Sequence, residues 1–219
     1  MSQDSPPKKI LVVGAGTMGH SIAQVFAQAG LAVDLVDTNS RVLETAISKI
    51  EANLATIKEA EGASPDEATS YTKQVLQNLS ATEDLAAVSE TADFVFEAVY
   101  ESVETKQEVI SRLEDQISKD AIIASNTSVL DLFDEIRVAE PERLLCAHWF
   151  APPHIVPLVE VVGGPETSAW AIDRTVSLLE SVGKRPVVMR KFVPGFIANR
   201  IMMAMADAAE ELIDSGACT

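Results

Sequence analysis

Apolar residues fall along this chain in two alternating rhythms. Short, mostly apolar runs occur at 10–13, 32–36, 79–82, 92–99, 121–124, 144–148, 156–162 and 185–190. Runs of that length, many rich in β-branched side chains, predict strands, several of them buried on both faces. Between them apolar positions return every three or four residues. Ile22, Val25, Phe26 and Ala29 form one such set, and Val42, Ala46, Ile50, Leu54 and Ile57 form another over 41–60. That spacing belongs to helices with one covered face. Ser64, Pro65 and Glu67 restart a helix after the break at Glu61-Gly62-Ala63, with an N-cap, a first-turn proline and a capping-box glutamate. Further helices are expected over 83–88, 102–118 and 167–183. Strand and helix in alternation predict an α/β fold with a doubly wound, mostly parallel sheet.

The first strand runs straight into Gly14-Ala15-Gly16-Thr17-Met18-Gly19, and a helix follows at once. In such a turn Gly14 permits the tight bend, Gly16 lets the backbone approach a pyrophosphate, and Gly19 allows helix to pack closely on strand. The pyrophosphate sits on the helix N-terminus, where N–H groups and the dipole favour negative charge. A glycine triplet alone is weak evidence; the strand before it and the helix after it give it weight. The second strand ends in Asp37, 18 residues after Gly19. A carboxylate there suits the hydroxyls of an adenosine ribose and repels a 2′-phosphate. The expected fold is therefore Rossmann-type and the expected cofactor NAD, held by Gly14, Gly16, Thr17, Met18, Gly19 and Asp37. Ligands of such sheets bind outside the carboxyl ends of the strands, so Glu101 and the run from Ser125 to Ser128 face the same crevice.

Composition narrows the class. The 219 residues are 47% hydrophobic, enough for a substantial core, and no run approaches 18 apolar residues. A net charge of −16 argues against nucleic acid or an anionic membrane as partner. The opening stretch from Met1 to Lys9 lacks the apolar segment of a signal peptide. Cys146 and Cys218 make no disulfide framework, which fits a reducing, cytoplasmic setting. No metal is expected.

Of three histidines, His20 reads as a surface or packing residue of the cofactor helix, and His154 as the exposed tip of a rigid loop, Ala151-Pro152-Pro153-His154. His148 ends an apolar strand aimed at the crevice. It lies six residues before His154, and Glu160 lies six after it. A hairpin about His154 would set His148 opposite Glu160. A glutamate within Val159-Glu160-Val161-Val162 is costly to bury unless paired. A His–Glu couple can act as a general base, which hydride transfer from an alcohol to NAD requires. Ser128 and Asn199 are candidates to hold the substrate oxygen.

These residues resemble the NAD-dependent L-3-hydroxyacyl-CoA dehydrogenases over nearly the whole chain. The likeness includes the glycine loop, Glu97-Ala98-Val99-Tyr100-Glu101, Ser125-Asn126-Thr127-Ser128, His148-x-Phe150-x-Pro152, Pro157-x-Val159-Glu160 and Pro194-Gly195-Phe196-x-x-Asn199-Arg200. The resemblance implies His148 as base, Glu160 as its partner, and Ser128 and Asn199 as substrate contacts. It also implies Glu101, Lys106 and Ser128 near the nicotinamide. It implies an NAD-binding domain over 1–191, followed over 192–219 by the linker and first helix of an all-α domain that builds a homodimer. That helix, over 195–215, carries the stripe Ile197, Ile201, Met205, Ala208 and Leu212, half of which is expected to pack on the nucleotide-binding domain. Since family members continue beyond this point, the chain is expected to be either a fragment or a degenerate member that binds cofactor without turnover. Two departures stand out: Ala151 replaces an asparagine, and Asn53 and Ala60 replace the serine and lysine that contact CoA. The His148 to Glu160 segment is also similar to the L-gulonate dehydrogenases, relatives of lambda-crystallin that act on free hydroxy acids. The small-molecule 3-hydroxy substrate is thus expected as a CoA thioester, with a free acid as the alternative.

Overall fold

In the computed structural model, which describes residues 9–218, the apolar runs pair side by side into one eight-stranded sheet. The strands are β1 (Lys9–Val13), β2 (Ala32–Val36), β3 (Leu79–Thr82), β4 (Phe94–Glu97), β5 (Ile122–Ser125), β6 (Leu144–Trp149), β7 (Leu158–Gly163) and β8 (Arg185–Met189). Their order is β3-β2-β1-β4-β5-β6-β7-β8. The first six strands are parallel; β7 returns antiparallel to β6, and β8 is parallel to β7. Residues 1–8 and Thr219, which include most of the opening stretch read above, lie outside the described residues.

Alternation along the strands divides the core in two. Ile10 and Val12 of β1 join Phe26, Leu35, Phe96 and Trp149 on one face, while Leu11 and Val13 join Val95, Ile110, Ile123 and Phe196 on the other. The first face is covered by α1 (Gly19–Gln28), α2 (Ser40–Ala60) and α7 (Ala169–Ser181). The second is covered chiefly by α5 (Val103–Gln116). Covered on both faces, the sheet is doubly wound as the apolar runs required. The other helices are α3 (Pro65–Leu76), whose capping box is present, α4 (Ala86–Ser89), α6 (Leu132–Glu135) and α8 (Ala198–Asp214). Among the described residues no helix is long and apolar enough to cross a membrane.

Several boundaries differ from expectation for local reasons. α4 starts at Ala86 rather than residue 83, because the Asp84 carboxylate accepts from the Ala86 and Ala87 amides. β4 stops at Glu97, whose carboxylate accepts from Val99 N–H and turns the chain out of the sheet. α2 buries Leu43, Ala46, Ile50 and Leu54, while Val42 turns toward the crevice and Ile57 is half-buried. α6 and a 3-10 turn at Pro141–Arg143 were not expected. The stripe on α8 does not pack on the sheet domain as expected: no residue of α8 is buried. The start of this helix is tethered through the amides of Ile197 and Ala198.

Candidate functional site

β1 sits where the strand order reverses, between β2 and β4, and a crevice of about 850 Å³ opens above it. Each glycine of the loop meets a different constraint. Gly14 has φ +96° and lies so close to β4 that an added Cβ would meet the Ala98 carbonyl oxygen at 2.6 Å. Gly19 is pressed on the Gly14 carbonyl. A Cβ on Gly16 would meet nothing within 4 Å, because that position opens on the crevice. Thr17 and Met18 line it too, at the start of α1. Asp37, at the end of β2, accepts from Ala15 N–H at 2.9 Å and Asn39 N–H at 3.0 Å, and borders the crevice. A bare backbone turn at a helix N-terminus with a carboxylate at the end of the second strand fits a dinucleotide.

At the far end of the crevice stand Glu101, Asn126 and Ser128. One Glu101 oxygen accepts from Thr127 Oγ1 at 2.6 Å and from the Ser128 and Val129 amides at 2.8 and 3.2 Å. Partial burial alone would raise the Glu101 pKa. The Thr127 hydroxyl, the Lys106 charge and the Ser128 amide outweigh it and hold the carboxyl below its usual range. Lys106 does not line the crevice. Its ammonium is buried, 2.8 Å from Glu97 and 3.1 Å from Glu101, so it meets the crevice only through Glu101. Glu97 is fully buried and also accepts from the Ser125 hydroxyl.

His148 and Glu160 face each other in register across β6 and β7, as the hairpin predicts. The imidazole Nδ1 lies 2.8 Å from Glu160 Oε2, which fixes Nδ1–H as donor. The second oxygen, Oε1, accepts from the Ile197 and Ala198 amides, both at 2.9 Å. Phe150 and Phe196 pack on the imidazole, with centroids at 4.5 and 4.9 Å. Asn199 falls in the first turn of α8, next to the amides that Glu160 holds, and is half-buried. Asn126 Oδ1 accepts from Trp149 N–H at 2.9 Å, joining the Ser128 loop to the end of β6.

Of the other two histidines, His20 is a packing residue, one of its two expected roles, whereas His154 differs from expectation. His154 is half-buried, its ring nitrogen 2.7 Å from Ser21 Oγ on α1, because the proline-rich loop folds back over that helix. His20 is buried, with Nδ1 2.7 Å from the Gly16 carbonyl, and burial lowers its pKa. Burial also pushes the Cys146 thiol pKa up. Missing from the expected set were Glu97 and Phe196, while Asn126 lies in the crevice-facing run that was expected.

Residues 9–192 match the family model described as 3-hydroxyacyl-CoA dehydrogenase, NAD binding domain. The chain belongs to the 3-hydroxyacyl-CoA dehydrogenase family. That family consists of NAD-dependent oxidoreductases acting on CH–OH groups, and the match is to its NAD-binding domain. A mitochondrial hydroxyacyl-coenzyme A dehydrogenase of Sus scrofa is 33% identical over 95% of this chain and 67% of its own length. A 5-formyl-3-hydroxy-2-methylpyridine 4-carboxylate 5-dehydrogenase of Mesorhizobium japonicum is 32% identical over 95% of this chain and 66% of its own length. The crystal structure of (S)-3-hydroxybutyryl-CoA dehydrogenase from Ralstonia eutropha superposes with a TM-score of 0.88, at 26% identity, over 97% of this chain and 74% of that one. The chain thus spans about two thirds of the length of these curated relatives.

Proposed function

We propose that the whole protein oxidises an L-3-hydroxyacyl-CoA to the 3-ketoacyl-CoA, reversibly, with His148 as general base. The observation that carries this reading is the Glu160 carboxylate 2.8 Å from His148 Nδ1, at the carboxyl end of β6. With Nδ1–H committed to Glu160, Nε2 is the ring nitrogen that takes the hydroxyl proton, and the carboxylate balances the imidazolium that forms. Bound NAD supplies the hydride acceptor. Ser128 and Asn199 hold the substrate oxygen, while Glu101 keeps the Ser128 loop in place from the nicotinamide end. The domain division runs at 191/192. The whole protein is a homodimer built through its helical domain, a reading supported by the uncovered apolar side chains of α8. The free thiols of Cys146 and Cys218 support a cytoplasmic setting.

One observation favours a second reading, a free hydroxy acid as substrate. Asn53 Nδ2 donates to Gln24, and Lys58 is committed to Glu61 at 2.7 Å and to the Tyr71 ring at 4.4 Å. Asn53 at the first departing position, and Lys58 as the cation near Ala60 at the second, are therefore engaged in local contacts rather than presented to a CoA phosphate. Following NADH oxidation with acetoacetyl-CoA, and NAD reduction with L-gulonate, tests both readings. Turnover of acetoacetyl-CoA supports the first; turnover of the free acid alone replaces it with the second.

A further inference from the structure

We infer that Glu83 is a second cofactor-selecting residue, acting beside Asp37 against a phosphorylated adenosine ribose. The inference rests on the NAD site above and adds a determinant that the glycine-loop pattern does not contain. β3 lies at the sheet edge, with Thr82 in register with Val36 of β2. The Asp37 amide reaches back to the Thr82 carbonyl at 3.4 Å, which carries the pairing one step past the strands. The next residue on each chain segment is a carboxylate: Asp37 after β2 and Glu83 after β3. Adjacent strands run about 5 Å apart, so the two acidic side chains leave neighbouring positions at the same end of the sheet. Both line the crevice, and Glu83 is solvent-exposed.

The two carboxylates have different tasks. Asp37 is turned into the glycine loop by its bonds to Ala15 and Asn39, the position from which a carboxylate accepts from ribose hydroxyls. Glu83 stands one strand further out. A 2′-hydroxyl carries no charge and is indifferent to it. A 2′-phosphate carries close to two negative charges at neutral pH and meets a second like charge there even when Asp37 has been neutralised. Among the described residues that line the crevice, Arg112, on the α5 wall, is the one cation, with Glu108 one helical turn before it. With Glu101 offset by Lys106 behind it, the lining still has an acidic balance: Asp37, Glu83 and Glu108 against Arg112.

The test is a fluorescence titration of the 219-residue chain with NADH and with NADPH, for wild type, D37N, E83Q and D37N/E83Q. D37N alone is expected to retain a preference for NADH. Adding E83Q should raise NADPH affinity by about tenfold more, from Coulomb repulsion of a phosphate at strand spacing, while NADH affinity stays nearly constant. D37N/E83K should raise it further. The gain should shrink between about 0.05 and 1 M salt, as screening shortens from well over 10 Å to about 3 Å. An NADPH-to-NADH ratio that E83Q leaves unchanged in both backgrounds would overturn the proposal, as would a gain that salt does not touch. Failure of the wild type to bind NADH at all would remove the NAD reading, and this proposal with it.

Discussion

His148 and Glu160 sit opposite each other on β6 and β7, with one carboxylate oxygen 2.8 Å from the imidazole Nδ1. The other oxygen of the same carboxylate holds the first amides of α8. One buried group therefore orients the proposed base and fixes the direction in which the last helix leaves the sheet. A shift at the start of α8 is felt at the imidazole through one intervening side chain, that of Glu160.

Replacing Glu160 with Ala strips acceptors from the imidazole N–H and from two amides at once. Breaking a buried pair in this way costs about 3–5 kcal/mol, so the Tm should fall clearly. Amide exchange at Ile197 and Ala198 should accelerate. Glu160→Gln retains an oxygen for the amides and should exchange more slowly than the Ala variant. An unchanged Tm together with protected amides would contradict the shared role.

His148→Gln keeps a side chain of similar size but removes the base. It should lower kcat by about 10²–10⁴-fold and leave NADH affinity nearly unaltered. Wild-type turnover in this variant would assign the proton transfer elsewhere.

Two glycine substitutions should separate folding from cofactor binding. Gly14→Ala forces a Cβ to 2.6 Å from the Ala98 oxygen at φ +96°, and should be strongly destabilised or insoluble. Gly16→Ala meets open space within 4 Å and should melt like the wild type while losing NADH affinity. Thermal melts and titrations on the pair distinguish these outcomes.

Lys106→Met should leave the fully buried Glu97 carboxylate without its cation and destabilise the chain by about 3–5 kcal/mol. Neutralising the stranded group, as Lys106→Met with Glu97→Gln, should recover part of that loss. If the double variant melts below the single one, the pair does not behave as a charge couple.

Acid should release the Ser128 loop. The pKa of Glu101 is lowered in the fold, so its contribution to stability is complete above the unfolded carboxyl value, about 4.3. It is lost as pH falls through the lower, folded value. Protection of the Ser128 and Val129 amides should decline across that window, and in Glu101→Gln it should be weaker and independent of pH there. Hydrogen exchange followed from pH 6 downward reads both.

The strands, their parallel order and the His148–Glu160 couple were legible because each rests on a short-range pattern. Apolar runs mark strands, and a glutamate inside such a run demands a partner that hairpin symmetry supplies. Glu97 sends the same signal after Phe94-Val95-Phe96, yet its partner Lys106 comes from the following helix, where strand register gives no guidance. Val42 is expected on the covered stripe of α2, but its neighbour Leu43 is the buried residue, because Val42 borders the crevice and spacing does not separate two adjacent apolar positions. α6 and the 3-10 turn are too short to show a period. The return of His154 onto Ser21 spans 133 residues, and nothing local announces it.

Met202, Met203 and Met205 stand 62%, 63% and 67% exposed on α8. Thioethers so placed are converted to sulfoxides by mild peroxide, whereas covered ones are spared. The oxidation rate at these three sulfur atoms, read peptide by peptide in a mass spectrometer, is therefore a built-in gauge of how much of that helix is covered at any moment, with no label added.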